Sequence, residues 1–276
     1  MTRRSALPPE LLGLRLHGDG LDDAALAAWF ADEENGYFAI AGGTGDSHTA
    51  GVNRYHAFRH LGERRFALCL ALGAAWGGEY AGLTGRIGSF VAVEPGRKFW
   101  QGSIAGAPAE YRLPTLRGAI DLPDGGCDLA GAFGVLHHIP NVGEVLREVA
   151  RVLAPGAPLL IREPIVSLGD FRKSRPGLTA NERGIPPQIM AQMLADAGLV
   201  IRAHSLAGFP VIQRLALGLG IAAPWENRGF VALDAALSRA FAWNARYWRP
   251  HLWDKVAPTL GYWVCEKLPG SRQGLP

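Results

Sequence analysis

The sequence predicts an α/β protein built on a doubly wound, mostly parallel sheet, and three observations predict it. Apolar runs without alternation recur along the middle of the chain: Phe66 to Leu72, Ser89 to Glu94, Asp128 to Phe133 and Pro158 to Ile161. Unbroken runs of this length suit strands covered on both faces. Segments of helical periodicity lie between them, and that alternation is the sequence form of a parallel sheet. Glycine and proline, 36 and 19 residues, punctuate the changeovers.

Each element can be justified in order. Residues 21–35 read as a helix capped by Asp22 or Asp23, with Leu21, Ala25, Leu26, Trp29 and Phe30 on one face. A Gly-rich loop from Gly36 to Gly51 holds Tyr37, Phe38, Asp46, Ser47 and His48. A short helix follows over 52–61, with His56 and His60 at i,i+4. Residues 141–153 form the clearest helix. Asn141 and Glu144 suggest a capping box, and Val145, Leu146, Val149, Val152 and Leu153 make one apolar stripe before Pro155-Gly156. Pro186 to Ala197 repeats the plan, with Gly198 as the stop. Residues 211–258 read as mostly helical, and Phe230 to Trp248 places Leu233, Leu237, Phe241 and Trp248 near one side. A strand over 261–266 closes the chain.

Composition excludes several classes. The net charge of +3 is too small to argue for a nucleic-acid partner. Cys69, Cys127 and Cys265 cannot build a disulfide framework or a four-thiolate zinc site, so buried reduced thiols are expected. The first residues lack the apolar core of a secretory signal. The stretch from Ala207 to Trp225 is interrupted by Gln213 and Arg214, which argues against a membrane span. A cytoplasmic protein is the expectation. Five of the eight tryptophans lie beyond residue 224, in a region suited to acceptor binding or to homodimer contact.

The chemistry-bearing constellation follows the first strand. Gly73-Ala-Ala-Trp-Gly77-Gly78 lets the backbone approach a ligand, and Glu94 ends the second strand 21 residues after Gly73. Backbone plus a carboxylate for ribose hydroxyls is a nucleoside-site plan. The dinucleotide fingerprint is broken at Ala75, which sets a nicotinamide-dependent oxidation aside. His137 and His138 follow the Asp128 to Phe133 run. Either can serve as a general base near neutral pH or pin the turn. His48, His56 and His60 lack a metal-site pattern, and no metal ligand is assigned. Arg172, Lys173, Arg175 and Arg183 follow the Pro158 to Ile161 run, where they can bind an anionic acceptor or pair locally with Asp170 and Glu182.

From Phe66 to Pro210 the sequence resembles the class I S-adenosylmethionine-dependent methyltransferases, in particular the small-molecule "type 11" group. The resemblance rests on Leu122-Pro-Asp-Gly-Gly-Cys-Asp-Leu-Ala-Gly-Ala-Phe-Gly-Val-Leu-His-His-Ile-Pro-Asn141, on Val145-Leu-Arg-Glu-Val-Ala-Arg-Val-Leu-Ala-Pro-Gly156 and on Leu160-Ile-Arg-Glu-Pro164. It implies a Rossmann-like sheet of seven strands in a single domain. Residues 1–64 would form an N-terminal helical cap, 65–210 the cofactor core, 211–258 a helical Trp-rich insert over the acceptor, and 259–276 the last strand and tail. It further implies S-adenosylmethionine as cofactor. Gly73, Ala75 and Gly77 would line its methionine part, Glu94 would hold the ribose, Pro95, Ala119 and Ile120 the adenine, and Phe133 and Gly134 the sulfonium region. His138, with His137 beside it, would serve an O-methylation of a small or glycan-type acceptor. Tyr37, His48, Arg172, Arg175 and Arg183 would meet that acceptor. Ala71, Ala75 and Gly118 stand where the family carries an acid, a glycine and an acid. A non-catalytic binding protein on the same fold is the competing reading.

Overall fold

The computed structural model describes residues 7–40 and 50–268, with the backbone alone at 35–40 and 50. Among the described residues eight strands form one sheet: β1 (Phe66–Leu72), β2 (Ile87–Val93), β3 (Ser103–Ile104), β4 (Ala107–Arg112), β5 (Leu129–Phe133), β6 (Pro158–Pro164), β7 (Leu199–Ala207) and β8 (Leu260–Lys267). Their order across the sheet is β3-β4-β2-β1-β5-β6-β8-β7. The five strands from β4 to β6 in that order run parallel. β8 enters antiparallel between β6 and β7, and β3 is a short antiparallel edge on β4.

Burial explains why the central runs are unbroken. Alternate residues of one strand serve two cores. Leu70, Leu72, Ala130 and Ile161 meet the helices α3 (Val142–Val152) and α4 (Pro187–Asp196) on one face. Cys69, Ala71, Phe90, Leu129 and Phe133 pack with Phe58, Tyr80 and Val231 on the other. All three cysteines are buried free thiols, and burial pushes the thiols of Cys127 and Cys265 up to about 12.

Among the described residues the α-helices are, in chain order, α1 (Asp23–Ile40), α2 (Ala50–His56), α3, α4, α5 (Pro210–Gly218) and α6 (Arg228–Ala240). Asp22 Oδ1 accepts the Ala25 N–H at 2.9 Å, the expected cap of α1. Several expectations change. α1 runs on to Ile40, so Tyr37 and Phe38 belong to the helix rather than to the Gly-rich loop. The 52–61 helix divides into α2 and a 3-10 turn over Phe58–Leu61. Asn141 donates to the Glu144 side chain at 2.8 Å and caps no backbone N–H, so the capping box does not form. The seven-strand expectation becomes eight through β3.

α6 departs furthest from its periodicity. It ends at Ala240 and turns Val231, Asp234 and Ser238 inward, leaving Leu233 exposed. The reason is polar: buried Asp234 accepts the N–H groups of Gly208 and Phe209 at 2.9 and 2.7 Å, where β7 gives way to α5.

Candidate active site

The strand order reverses between β1 and β5, and ligands of open parallel sheets bind at that reversal, beyond the carboxyl ends. Gly73 follows β1 with φ +54°, and a Cβ there would lie 2.3 Å from Val135, just after β5. That approach across the reversal admits only glycine. Gly77, at φ +73°, meets Ile104 in the same way. Between them Ala75 holds φ +42° in spite of its Cβ.

Glu94, just after β2, organises this loop. One carboxylate oxygen accepts the Ala75 N–H at 2.9 Å and the other the Gly96 N–H at 2.8 Å. Burial raises its pKa, and those two N–H groups oppose the rise. The Tyr111 hydroxyl donates to the Ala75 carbonyl at 3.0 Å, and Trp76 packs edge-on against Phe99. A carboxylate can accept about four hydrogen bonds, so each Glu94 oxygen retains acceptor capacity suited to a ribose hydroxyl. Beside it, a cavity of about 200 Å³ is lined by Val93, Arg112, Thr115, Ala119 and Ile120, with Pro95 exposed nearby. Gly134, at φ +72°, leaves open space, since a Cβ there would meet nothing nearer than Arg162 at 3.5 Å. These residues fit a nucleoside-bearing cofactor laid across the ends of β1, β2 and β5. The Phe133 ring instead turns into the core, edge-on to Phe58 and Tyr80.

The two histidines have different surroundings. His137 is buried, its Nδ1 2.6 Å from Glu163 Oε2 and its Nε2 3.5 Å from Glu182. Glu163 Oε1 also accepts the N–H groups of Val135 and Leu136. Burial works against a charge on His137, yet the Glu163 and Glu182 carboxylates overcome it and raise its pKa to about 9. His137 is therefore an imidazolium that pins the turn. His138 is partly exposed. Its Nδ1 lies 2.7 Å from Glu33 Oε2 on α1, and its carbonyl accepts Trp29 Nε1–H at 2.8 Å. Glu33 also accepts from the Thr179 hydroxyl and the Asn181 N–H, which ties α1 to the loop after β6.

Among the described residues, atoms of His137, His138 and Glu182 lie within 4.8 Å of one another, close enough to share a cation. The proton on His137 already fills that role. His56 sits elsewhere, against Ser205 and stacked on Tyr262, and His60 meets Arg59.

The arginines of the loop after β6 all engage protein groups. Arg172 pairs bidentately with Asp170 at 2.8 Å. Arg175 donates to the carbonyls of Leu168, Thr179 and Ala180. Arg183 is fully buried and donates to the carbonyls of His17, Leu136, His137 and Ile139. The Tyr37 side chain and His48 lie outside the described residues.

Sequence reasoning missed the partners: Glu33, Glu163, and a buried Arg162–Glu79 pair at 2.8 Å that also engages Asn53. A signal existed for two of these. Arg162-Glu163 places two charges side by side near the carboxyl end of an apolar strand, one for each face.

The comparisons bear on the domain and the fold. Residues 70–161, about a third of the chain, match the family model described as a methyltransferase domain. The [4+2]-cyclase SpnF superposes with a TM-score of 0.53 at 13% identity, covering 91% of this chain and 99% of its own. A chain from the Haloferax volcanii complex of the Trm112 methyltransferase activator with a methyltransferase gives 0.52 at 14%, covering 90% and 97%. An S-adenosylmethionine-dependent methyltransferase from Mesorhizobium loti gives 0.52 at 12%, covering 80% and 100%. No curated protein matches the sequence. Residues 70–161 are thus similar to a methyltransferase domain, and the chain shares its fold with these neighbours.

Proposed function

We propose that the protein methylates a hydroxyl oxygen of a small acceptor, with a sugar or other glycan-type molecule as the favoured class. The observation that carries this reading is the His138–Glu33 pair on the turn that follows β5, four residues beyond open Gly134. S-adenosylmethionine, the cofactor of this reading, would supply an electrophilic methyl group on its sulfonium sulfur. Glu94 accepts the ribose hydroxyls, the backbone of Gly73, Ala75 and Gly77 borders the methionine part, and Ala119 and Ile120 border the adenine. Glu33 holds the proton of His138 on Nδ1, which makes Nε2 the basic atom. In the transfer the acceptor oxygen would form its bond to the methyl carbon while the carbon–sulfur bond breaks and S-adenosylhomocysteine leaves with that electron pair; the acceptor's proton would pass to His138 Nε2, and Glu33 would stabilise the resulting imidazolium. An anionic acceptor would engage Arg172 only by displacing Asp170.

Calorimetric titration with S-adenosylmethionine, followed by mass analysis of products from hydroxylated acceptors, tests this reading. His138→Gln is expected to retain cofactor affinity and to lower kcat by roughly 10²–10⁴-fold. Absence of cofactor binding, or an unchanged kcat in His138→Gln, overturns it. One observation favours a second reading, a ligand-binding protein without turnover: the Glu94 carboxylate is 3% exposed and already holds two N–H groups. Cofactor binding with no methylated product from any acceptor would select it.

A further inference from the structure

The chain leaves the sheet after β7 and returns at β8 on the same side as the site. Ala207, Leu260 and Pro164 lie in register across β7, β8 and β6 at their shared end. The segment between, residues 208–259, leaves several large apolar side chains exposed. α5 buries only Ala216. Val211, Leu215 and Leu219, spaced four apart and so on one stripe, are all exposed, Leu215 by 60%. Trp243 is 71% exposed, Leu252 80% and Trp253 57%. The segment holds together as one unit. Phe209 meets Phe241 at 5.2 Å, and the Asn244 amide donates to the carbonyls of Trp253 and Val256.

Its charges are sorted as well. Arg214, Arg228, Arg239 and Lys255 are exposed. Glu226 is the single exposed acid of the segment, because Asp234 and Asp254 are buried, the latter 3.8 Å from Arg246. Water alone would not favour such a surface. Tryptophan and leucine interleaved with cations suit a layer where acyl chains meet anionic headgroups. No helix among the described residues is long and apolar enough to cross a membrane, so contact would be peripheral.

We propose that these exposed aromatic, aliphatic and cationic side chains of the insert dock on an anionic lipid bilayer, next to the carboxyl end of the sheet where the insert leaves and rejoins it. Docking is independent of the methyl-transfer reading, since it needs neither cofactor nor acceptor. Flotation with phosphatidylcholine vesicles, with and without phosphatidylglycerol, tests it. The full chain is expected to float with the anionic vesicles, weakly with the neutral ones, and less as salt rises. The triple variant Trp243→Ser, Leu252→Ser, Trp253→Ser, with its melting curve confirming an intact fold, is expected to lose at least tenfold in partitioning. Arg214→Glu with Arg239→Glu should abolish the preference for anionic lipid. Three results overturn the proposal: no flotation with anionic vesicles, flotation unchanged in the triple variant, or a dimer in solution that the triple variant dissociates, which would assign the face to a second copy.

Discussion

Adjacent histidines at residues 137 and 138 are indistinguishable by type, and burial separates them. His137 has two carboxylates and no open face, so it carries charge as a structural group. Its raised pKa sets the sign of a pH effect. The folded value is about 9 and the ordinary value 6.5, so its stabilisation is complete below pH 6.5 and is lost as pH rises through 9. His56 acts in the opposite sense. Burial, with Arg59 and His60 nearby, lowers it to about 4, so its contribution is present above pH 6.5 and is lost as pH falls towards 4. Denaturant unfolding across this range should show greatest stability near neutrality. Glu163→Gln should flatten the alkaline limb. Ala75 allows a second prediction at this scale. Its left-handed backbone costs an L-residue about 1–2 kcal/mol, which exceeds the entropy glycine would lose. Ala75→Gly is expected to raise unfolding free energy by about 0.5–1 kcal/mol.

Elements were legible where one physical term dominated. β1 was read to the residue because a run buried on both faces has no polar competitor. α3 was read from its apolar stripe and β6 from Pro158 to Ile161, while its charged end at Arg162-Glu163 was legible only through the family resemblance. α6 was misread because its inward face is chosen by a carboxylate. Asp234 must reach the Gly208 and Phe209 N–H groups, and the helix rotates to deliver it, exposing Leu233. Asp234→Ala would leave two buried N–H groups without an acceptor and is expected to cost about 3 kcal/mol in denaturant unfolding. Of the candidate site, the glycines, Glu94 and His138 were legible in local motifs. Glu33 was not, because 105 residues separate it from His138 and only the folded chain brings them together.

At the scale of the molecule, buried polar contacts join elements far apart in sequence. Arg162 on β6 holds Glu79 from the turn after β1 and Asn53 from α2, and Tyr262 on β8 donates to the same Asn53 oxygen at 2.8 Å. Burial opposes the Arg162 charge, and Glu79 maintains it. Glu79→Gln would leave that guanidinium uncompensated and is expected to cost about 3–5 kcal/mol, read as a lowered melting temperature. The placement of β8 has a further consequence for synthesis. β7 pairs with β8 alone, and β8 is made some fifty residues later. While the chain emerges, β6 and β7 each present an open edge with no bridge between them. The insert must be held, partly assembled, until residues 260–267 leave the ribosome and close the sheet. A stall or truncation within that interval would release a chain with β7 unpaired, the outer edge of β6 open and α5 exposed, the kind of nascent species that chaperones capture.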